Sequence, residues 1–221
     1  MLLGLSSLVA GSACRKHAAE LPAGPQTPPP DLPRAFGPRS VWFAFHGPSS
    51  TDVAAALGLK EVAPSSWEAG VAGAYAGRVF VTPPIDGWVL ATSARFPDAG
   101  GGGHEDSATP MLEQLSKRFG EVQYFGSYDE IGWSAWARFR DGTPVRKFSF
   151  LGAQDVVLWN EGAPTPEEHE LGLAFGKQRA ATDGGGLDAT SVFAVARKWS
   201  VDPAAIQSRH LGPSLGVSGT M

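Results

Sequence analysis

The sequence predicts an α+β fold: a mostly antiparallel sheet of about seven strands, with helices packed on one face. Three observations point there. Asp141-Gly142 separates two strand-like runs, Trp133 to Arg140 and Thr143 to Leu151, and Asp-Gly suits a tight hairpin turn whose central residues both need positive φ. A third run, Asp155 to Trp159, follows the short Gly152-Ala153-Gln154 turn, so the three form a meander with an apolar face to be covered. Upstream, a helix over 67–75, a strand over 78–82 and a strand opened by Gly87-Trp88 are echoed by a helix over 110–119, a strand over 121–128 and a strand opened by Gly132-Trp133. Two αββ units of this kind would make one antiparallel sheet with helices on a single side.

With Asp141-Gly142 as a two-residue loop, Trp133 pairs with Phe150, Ala135 with Phe148 and Ala137 with Arg146; Ser134 then faces Ser149, and Trp136 faces Lys147. This register sorts one face as aromatic and apolar and the other as polar, and a slip by one residue would mix them. Pro144 cannot donate to a ladder, so the hairpin is expected to be twisted or near an edge at its turn.

Along the chain, residues 15–40 carry seven prolines and read as a disordered tether. Val41 to Phe45 is a short apolar run that reads as a buried strand. Ser50 or Thr51 caps a helix ended by Gly58, and Ser66 caps the helix over 67–75, where Gly70 and Gly73 weaken helical propensity. Arg78 to Thr82 and Trp88 to Phe96 are strands joined by a Pro-Pro-Ile-Asp-Gly turn. The Gly-rich acidic stretch from Ala99 to Ala108 is a loop. Thr109 and Pro110 start a helix with the apolar stripe Met111, Leu112, Leu115 and Phe119. Thr165-Pro166-Glu167-Glu168 has the form of a capping box. Asp188 to Trp199 is a last amphipathic helix. The folded domain spans 41–206, and 207–221 is a disordered tail. The expected core includes Trp42, Phe43, Phe45, Leu57, Phe80, Trp88, Leu90, Leu115, Phe119, Phe125, Trp133, Phe148, Phe150, Leu158 and Trp199.

Composition narrows the function. The 221 residues are 43% hydrophobic, with seven Trp and twelve Phe, enough for one sizeable core. The net charge of −4 supplies no global positive field for nucleic acid. A single cysteine excludes an internal disulfide framework. Cys14 follows a short apolar run and the small residues Gly11-Ser12-Ala13, which resembles the lipobox of bacterial lipoproteins, although Gly11 stands where that motif usually has Leu and no basic segment precedes the run. Residues 1–14 are thus a signal-like segment with Cys14 as the lipidation site. The implied location is the cell envelope, with membrane contact only through that anchor; the alternative is a cytoplasmic protein with a plain tail.

Chemical motifs are sparse. Gly212-Pro213-Ser214-Leu215-Gly216 has the letters of a nucleophile elbow but no strand before it or helix after it. His104-Glu105-Asp106 and Glu167 to Glu170 lack the spacing of zinc or calcium sites and read as solvated charge. His46 and Asp52 are the nearest approach to a catalytic pair and read as polar residues at a strand end. No catalytic residue, metal or cofactor is assigned. On the hairpin, Arg138, Arg140 and Lys147 lie beside Trp136 on the face expected to point outward, and Trp with Arg is what interface centres favour. That face is the expected partner-binding surface; the competing explanation is charge that guards a strand edge.

The segments VFVTPPIDGWVL, LSKRFGEVQYFGSY, LWNEGAPTPEEHELG and ARKWSVDP resemble a set of bacterial α+β proteins of unknown function, from Val41 to about Ile206. The resemblance implies a genuine bacterial domain and transfers no residue role. Small proteins of this style include immunity and partner-binding proteins. The function expected is a non-catalytic, monomeric protein-binding module, immunity-protein-like, tethered in the envelope; the alternative is an envelope-associated hydrolase with a loop-built site.

Overall fold

The computed structural model describes residues 27–99, 106–175 and 187–221. Nine strands form one antiparallel sheet among them, two more than expected. They are β1 (Ser40–His46), β2 (Lys60–Ser65), β3 (Val79–Val81), β4 (Trp88–Ser93), β5 (Glu121–Tyr128), β6 (Trp133–Arg140), β7 (Thr143–Leu151), β8 (Val156–Glu161) and β9 (Gly216–Thr220), in the spatial order β2-β9-β3-β4-β1-β5-β6-β7-β8. The α+β class and the antiparallel sheet stand; the strand count and the placing of the helices are corrected.

Helices cover both faces, not one. On the first face α1 (Ser50–Ala56) and α3 (Ala108–Phe119) pack on Val41, Phe43, Phe45, Val81, Tyr124 and Phe139. On the second, α2 (Trp67–Tyr75) and α5 (Ala189–Trp199) pack on Trp42, Ala44, Phe80, Phe125, Trp136 and Phe148, and the short α4 (Pro166–Glu170) docks beside α5. Neighbouring residues of β1 therefore serve different cores, and all but its last residue are buried. Such a strand reads as a continuous apolar run, because there is no wet face to alternate with.

The αββ order does occur twice, as α2-β3-β4 and α3-β5-β6. In the all-antiparallel order, β3 and β5 run in opposite directions. Keeping the same hand of connection then sends α2 and α3 to opposite faces, so the two units do not form the single helical layer expected. Gly70 shows how close α2 lies to the sheet: a Cβ there would stand 2.2 Å from the Phe80 ring. The glycine that weakens the helix in sequence terms is what lets its backbone approach β3.

Described residues on both sides of the expected domain join it, which corrects two boundaries. The segment expected as a disordered tail contains β9, inserted between β2 and β3. Part of the expected tether is also fixed: the Asp31 carboxylate accepts hydrogen bonds from the backbone N–H of Trp67 (2.5 Å) and Glu68 (2.9 Å) at the start of α2, Asp31 bridges to Ser214, and Phe36 is buried in the second core. Of the expected core residues, Leu57, Trp88, Phe119 and Leu158 are only partly buried, and the rest are buried.

The central hairpin has the expected turn and a different register. Asp141 and Gly142 both have positive φ, and Arg140 pairs with Thr143. The ladder then slips by one residue, because Arg138 pairs with Arg146 while Phe139 pairs with Pro144, leaving Val145 as a bulge. Pro144 offers no N–H, and an extra residue beside it lets the ladder resume. Beyond the bulge Trp136 pairs with Phe148, Ala137 with Lys147 and Trp133 with Leu151, one residue away from the pairs expected.

Candidate functional site

The one-residue slip decides where the four hairpin residues go. Trp136 is fully buried, packed on Phe148 and Phe175 beneath α4 and α5. Lys147 is buried on the opposite face of the sheet. Arg138 is mostly buried, and Arg140, with 58% of its side chain accessible, is the one exposed member. The structure therefore does not bring Trp136, Arg138, Arg140 and Lys147 together on an outward face. The Trp expected outward is core because helices cover both faces of the sheet, and the bulge sets Phe148 opposite Trp136 in the second core.

The buried cations are each held by a carboxylate and an aromatic ring. Arg146, fully buried, donates from Nε to both Glu168 oxygens (2.9 and 3.1 Å), and Nη1 reaches Asn160 Oδ1 (2.9 Å) and the carbonyls of Lys147, Glu161 and Gly162 (3.2 Å each). Its guanidinium lies 4.6 Å from the Phe175 ring centre. Glu168, equally buried, also accepts Trp136 Nε1–H (2.7 Å) and the backbone N–H of Thr165 (2.6 Å). The last bond belongs to the capping box of α4, so the residue legible in sequence as a helix cap is also the counter-ion of a buried arginine.

On the other face, Lys147 Nζ meets Glu161 (3.0 Å) and Asp106 (3.5 Å) and lies 4.7 Å from the Trp159 ring centre. Arg138 stacks on Trp199 at 4.3 Å, with Glu121 at 3.6 Å. Burial pushes the Arg138 guanidinium below its usual range, and the Glu121 charge offsets part of that. Burial pushes the Glu121 carboxyl up, but hydrogen bonds from Gln123 and Arg140, with the charges of Arg138 and Arg140, leave it below the ordinary carboxylate range. Arg138 and Arg146 are cross-strand neighbours, a repulsive arrangement that Glu121 and Glu168 neutralise.

The other sequence candidates have local duties. Asp52 caps α1 with Ser49, and His46 packs edge-on against Trp88. Ser214 accepts Trp67 Nε1–H. Cys14, His104 and Glu105 lie outside the described residues. Among those described, no group of three or more His, Cys, Asp or Glu could hold a metal ion, and no helix is long and apolar enough to cross a membrane.

What the meander does present to solvent is its outer strand. β8 ends the sheet order, and Val156 and Val157 are 40% and 39% exposed. The opposite edge, β2, also exposes a valine, Val62 (42%), but sets it among Lys60, Glu61 and Pro64 and has a register shift. Charge and proline are what keep an edge from pairing with another chain. β8 also has one irregularity in its pairing with β7, but neither lysine nor proline.

These features define an α+β protein built on one nine-stranded antiparallel sheet with helices on both faces. Comparison with family models, with curated proteins and with solved structures gave no match for this chain.

Proposed function

We propose that this chain is a non-catalytic protein-binding module that takes up an extended segment of a partner along β8. The observation that carries the reading is the contrast between the two sheet edges: both expose valine, but on β2 Val62 stands among Lys60, Glu61 and Pro64, whereas β8 offers the adjacent pair Val156 and Val157 with neither lysine nor proline and with Glu161 only at its end. Strand addition to such an edge takes affinity from main-chain hydrogen bonds and specificity from alternate side chains. The partner-binding surface expected on the hairpin face thus moves to the hairpin's outer neighbour. The immunity-like character belongs to the same proposal, since an inhibitor of this type acts by occupying a partner.

The module is tethered in the envelope through a lipid on Cys14. From Cys14 to the first described residue, Thr27, the chain reaches roughly 45 Å at full extension, which keeps the domain close to the membrane surface. The Cys14→Ala variant then leaves the membrane fraction, and unchanged partitioning removes this part of the proposal.

The edge is tested by Val157→Lys, which places a charge on an exposed strand position and leaves the fold intact. Proteins cross-linked to the wild-type chain in its native envelope are lost with the variant. An identical cross-linking pattern for the two chains overturns the β8 reading.

A further inference from the structure

Charge on the outer half of the meander does not balance. Arg146 has one carboxylate partner, Glu168, and both are fully buried. Lys147 instead serves two carboxylates, Glu161 at 3.0 Å and Asp106 at 3.5 Å. Two negative charges against one positive leave an excess at the C-terminal end of β8, where Glu161 is the strand's single charged residue. Among the described residues no other cation is paired with either carboxylate.

The excess is available at Glu161, not at Asp106. Asp106 is committed within the protein: Oδ2 accepts from Thr109 Oγ1 (2.6 Å), Trp159 Nε1 (2.9 Å) and Lys147, and Oδ1 accepts from the backbone N–H of Thr109 (3.0 Å). Glu161 accepts from Lys147 through Oε1 alone, its side chain is 55% exposed, and Oε2 has no hydrogen-bond partner among the described residues. Lys147 is too buried to cover it, with its ammonium held over the Trp159 ring. A carboxylate half used on an open edge can take a second charged donor, one brought by another chain.

We infer, resting on β8 as the edge that binds, that the partner's segment is basic as well as extended: Lys or Arg lies across from Glu161, and β-branched residues lie across from Val156 and Val157. Each strand of the sheet runs antiparallel to its neighbours, and an added strand that continues this order begins opposite Glu161. The basic residue therefore precedes the apolar ones in the partner. Val156 and Val157 pair with Leu151 and Phe150 on their inner side, and β-branched side chains laid along their outer side cover apolar area that water now reaches. An acidic segment is turned away by Glu161 and by the net charge of −4.

The test is an NMR titration of the 15N-labelled full chain with the peptide acetyl-Lys-Thr-Val-Thr-Val-Thr-amide and with its counterparts that carry Gln or Glu in place of Lys. The expected result is saturable shifts over 156–161. The Lys peptide binds about fivefold tighter than the Gln peptide, the upper end of what an exposed ion pair adds, and the Glu peptide binds weakest. Glu161→Gln still binds all three and removes the preference for Lys; Lys147 keeps Asp106 as its counter-ion, so the fold survives. Val157→Lys loses all three peptides. Equal affinities of the wild type for the three, or a preference for Lys that Glu161→Gln leaves unchanged, overturns the basic partner while β8 stands as the binding edge. No saturable shift over 156–161 with any of the peptides overturns both.

Discussion

The two flanks of the sheet are stabilised in different ways. On the flank of β2, β9, β3 and β4, segments far apart in the chain are laid side by side: Asp31 caps α2, Ser214 receives Trp67, and β9 from the C-terminus slots between β2 and β3. Hydrogen bonds tie these segments together and the packing is close: a Cβ on Gly70 would stand 2.2 Å from the Phe80 ring. On the flank of β5 to β8 the strands follow one another in sequence, and the interior takes in charge. Arg138, Arg146 and Lys147 each lie over a ring with a carboxylate beside them. Non-local closure and buried charge are thus separate devices, and each can be broken by itself.

The largest effect is expected from the first flank. A chain ending at Leu215 lacks β9, which leaves β2 without its partner and β3 as a bare edge. Its cooperative thermal unfolding should disappear; a native near-UV circular dichroism spectrum with a sharp transition would show that β9 is dispensable.

On the second flank, Glu168→Ala strands Arg146 and removes the acceptor for Trp136. Breaking a buried pair from one side costs about 3–5 kcal/mol. The double variant Arg146→Met with Glu168→Leu should lose much less than that, because no charge remains to be solvated. Denaturant unfolding of the three proteins measures this, and equal losses in the single and double variants would mean that packing, not charge, holds the site.

A smaller pair of effects separates close packing from helix propensity. Gly73→Ala meets nothing nearer than 3.6 Å and should stabilise by about 0.5–1 kcal/mol. Gly70→Ala gains the same propensity but drives a methyl into the Phe80 ring, and overpacking of about 1–3 kcal/mol outweighs it. Opposite signs in the two midpoints are the expected outcome; equal gains would mean that α2 can lift from the sheet at no cost.

The smallest effect is the pH dependence of Glu121. Its folded pKa lies below the ordinary carboxyl value, so it stabilises the protein above about pH 4.3 and that contribution fades as the pH falls through the lower folded value. The stability difference between wild type and Glu121→Gln should therefore shrink on acidification. A difference that stays constant down to the acid transition would remove Glu121 from the network around Arg138.

The elements were largely legible in the sequence because their signals are local. The Asp141-Gly142 turn, the Thr165–Glu168 capping box, the cap at Ser66 and the apolar stripe of α3 all stand as read. Residues 60–65 and 216–220 gave no such signal, since Pro64 and two glycines argue against strands, and each is a strand only because the other lies beside it. The pairing of Trp136 with Phe148 was hidden by a single bulged residue, Val145, which reverses every β7 side chain beyond it relative to β6 and has no sequence signature stronger than the neighbouring proline. By itself the sequence determined most of the helices, seven of the nine strands and that an antiparallel hairpin sits in the middle. The tertiary structure decided that the sheet is covered on both faces, that Glu168 balances Arg146, and that β2 and β8 stand at the two ends of the sheet. Those features depend on burial and on register between distant segments, and neither quantity exists until the chain is packed.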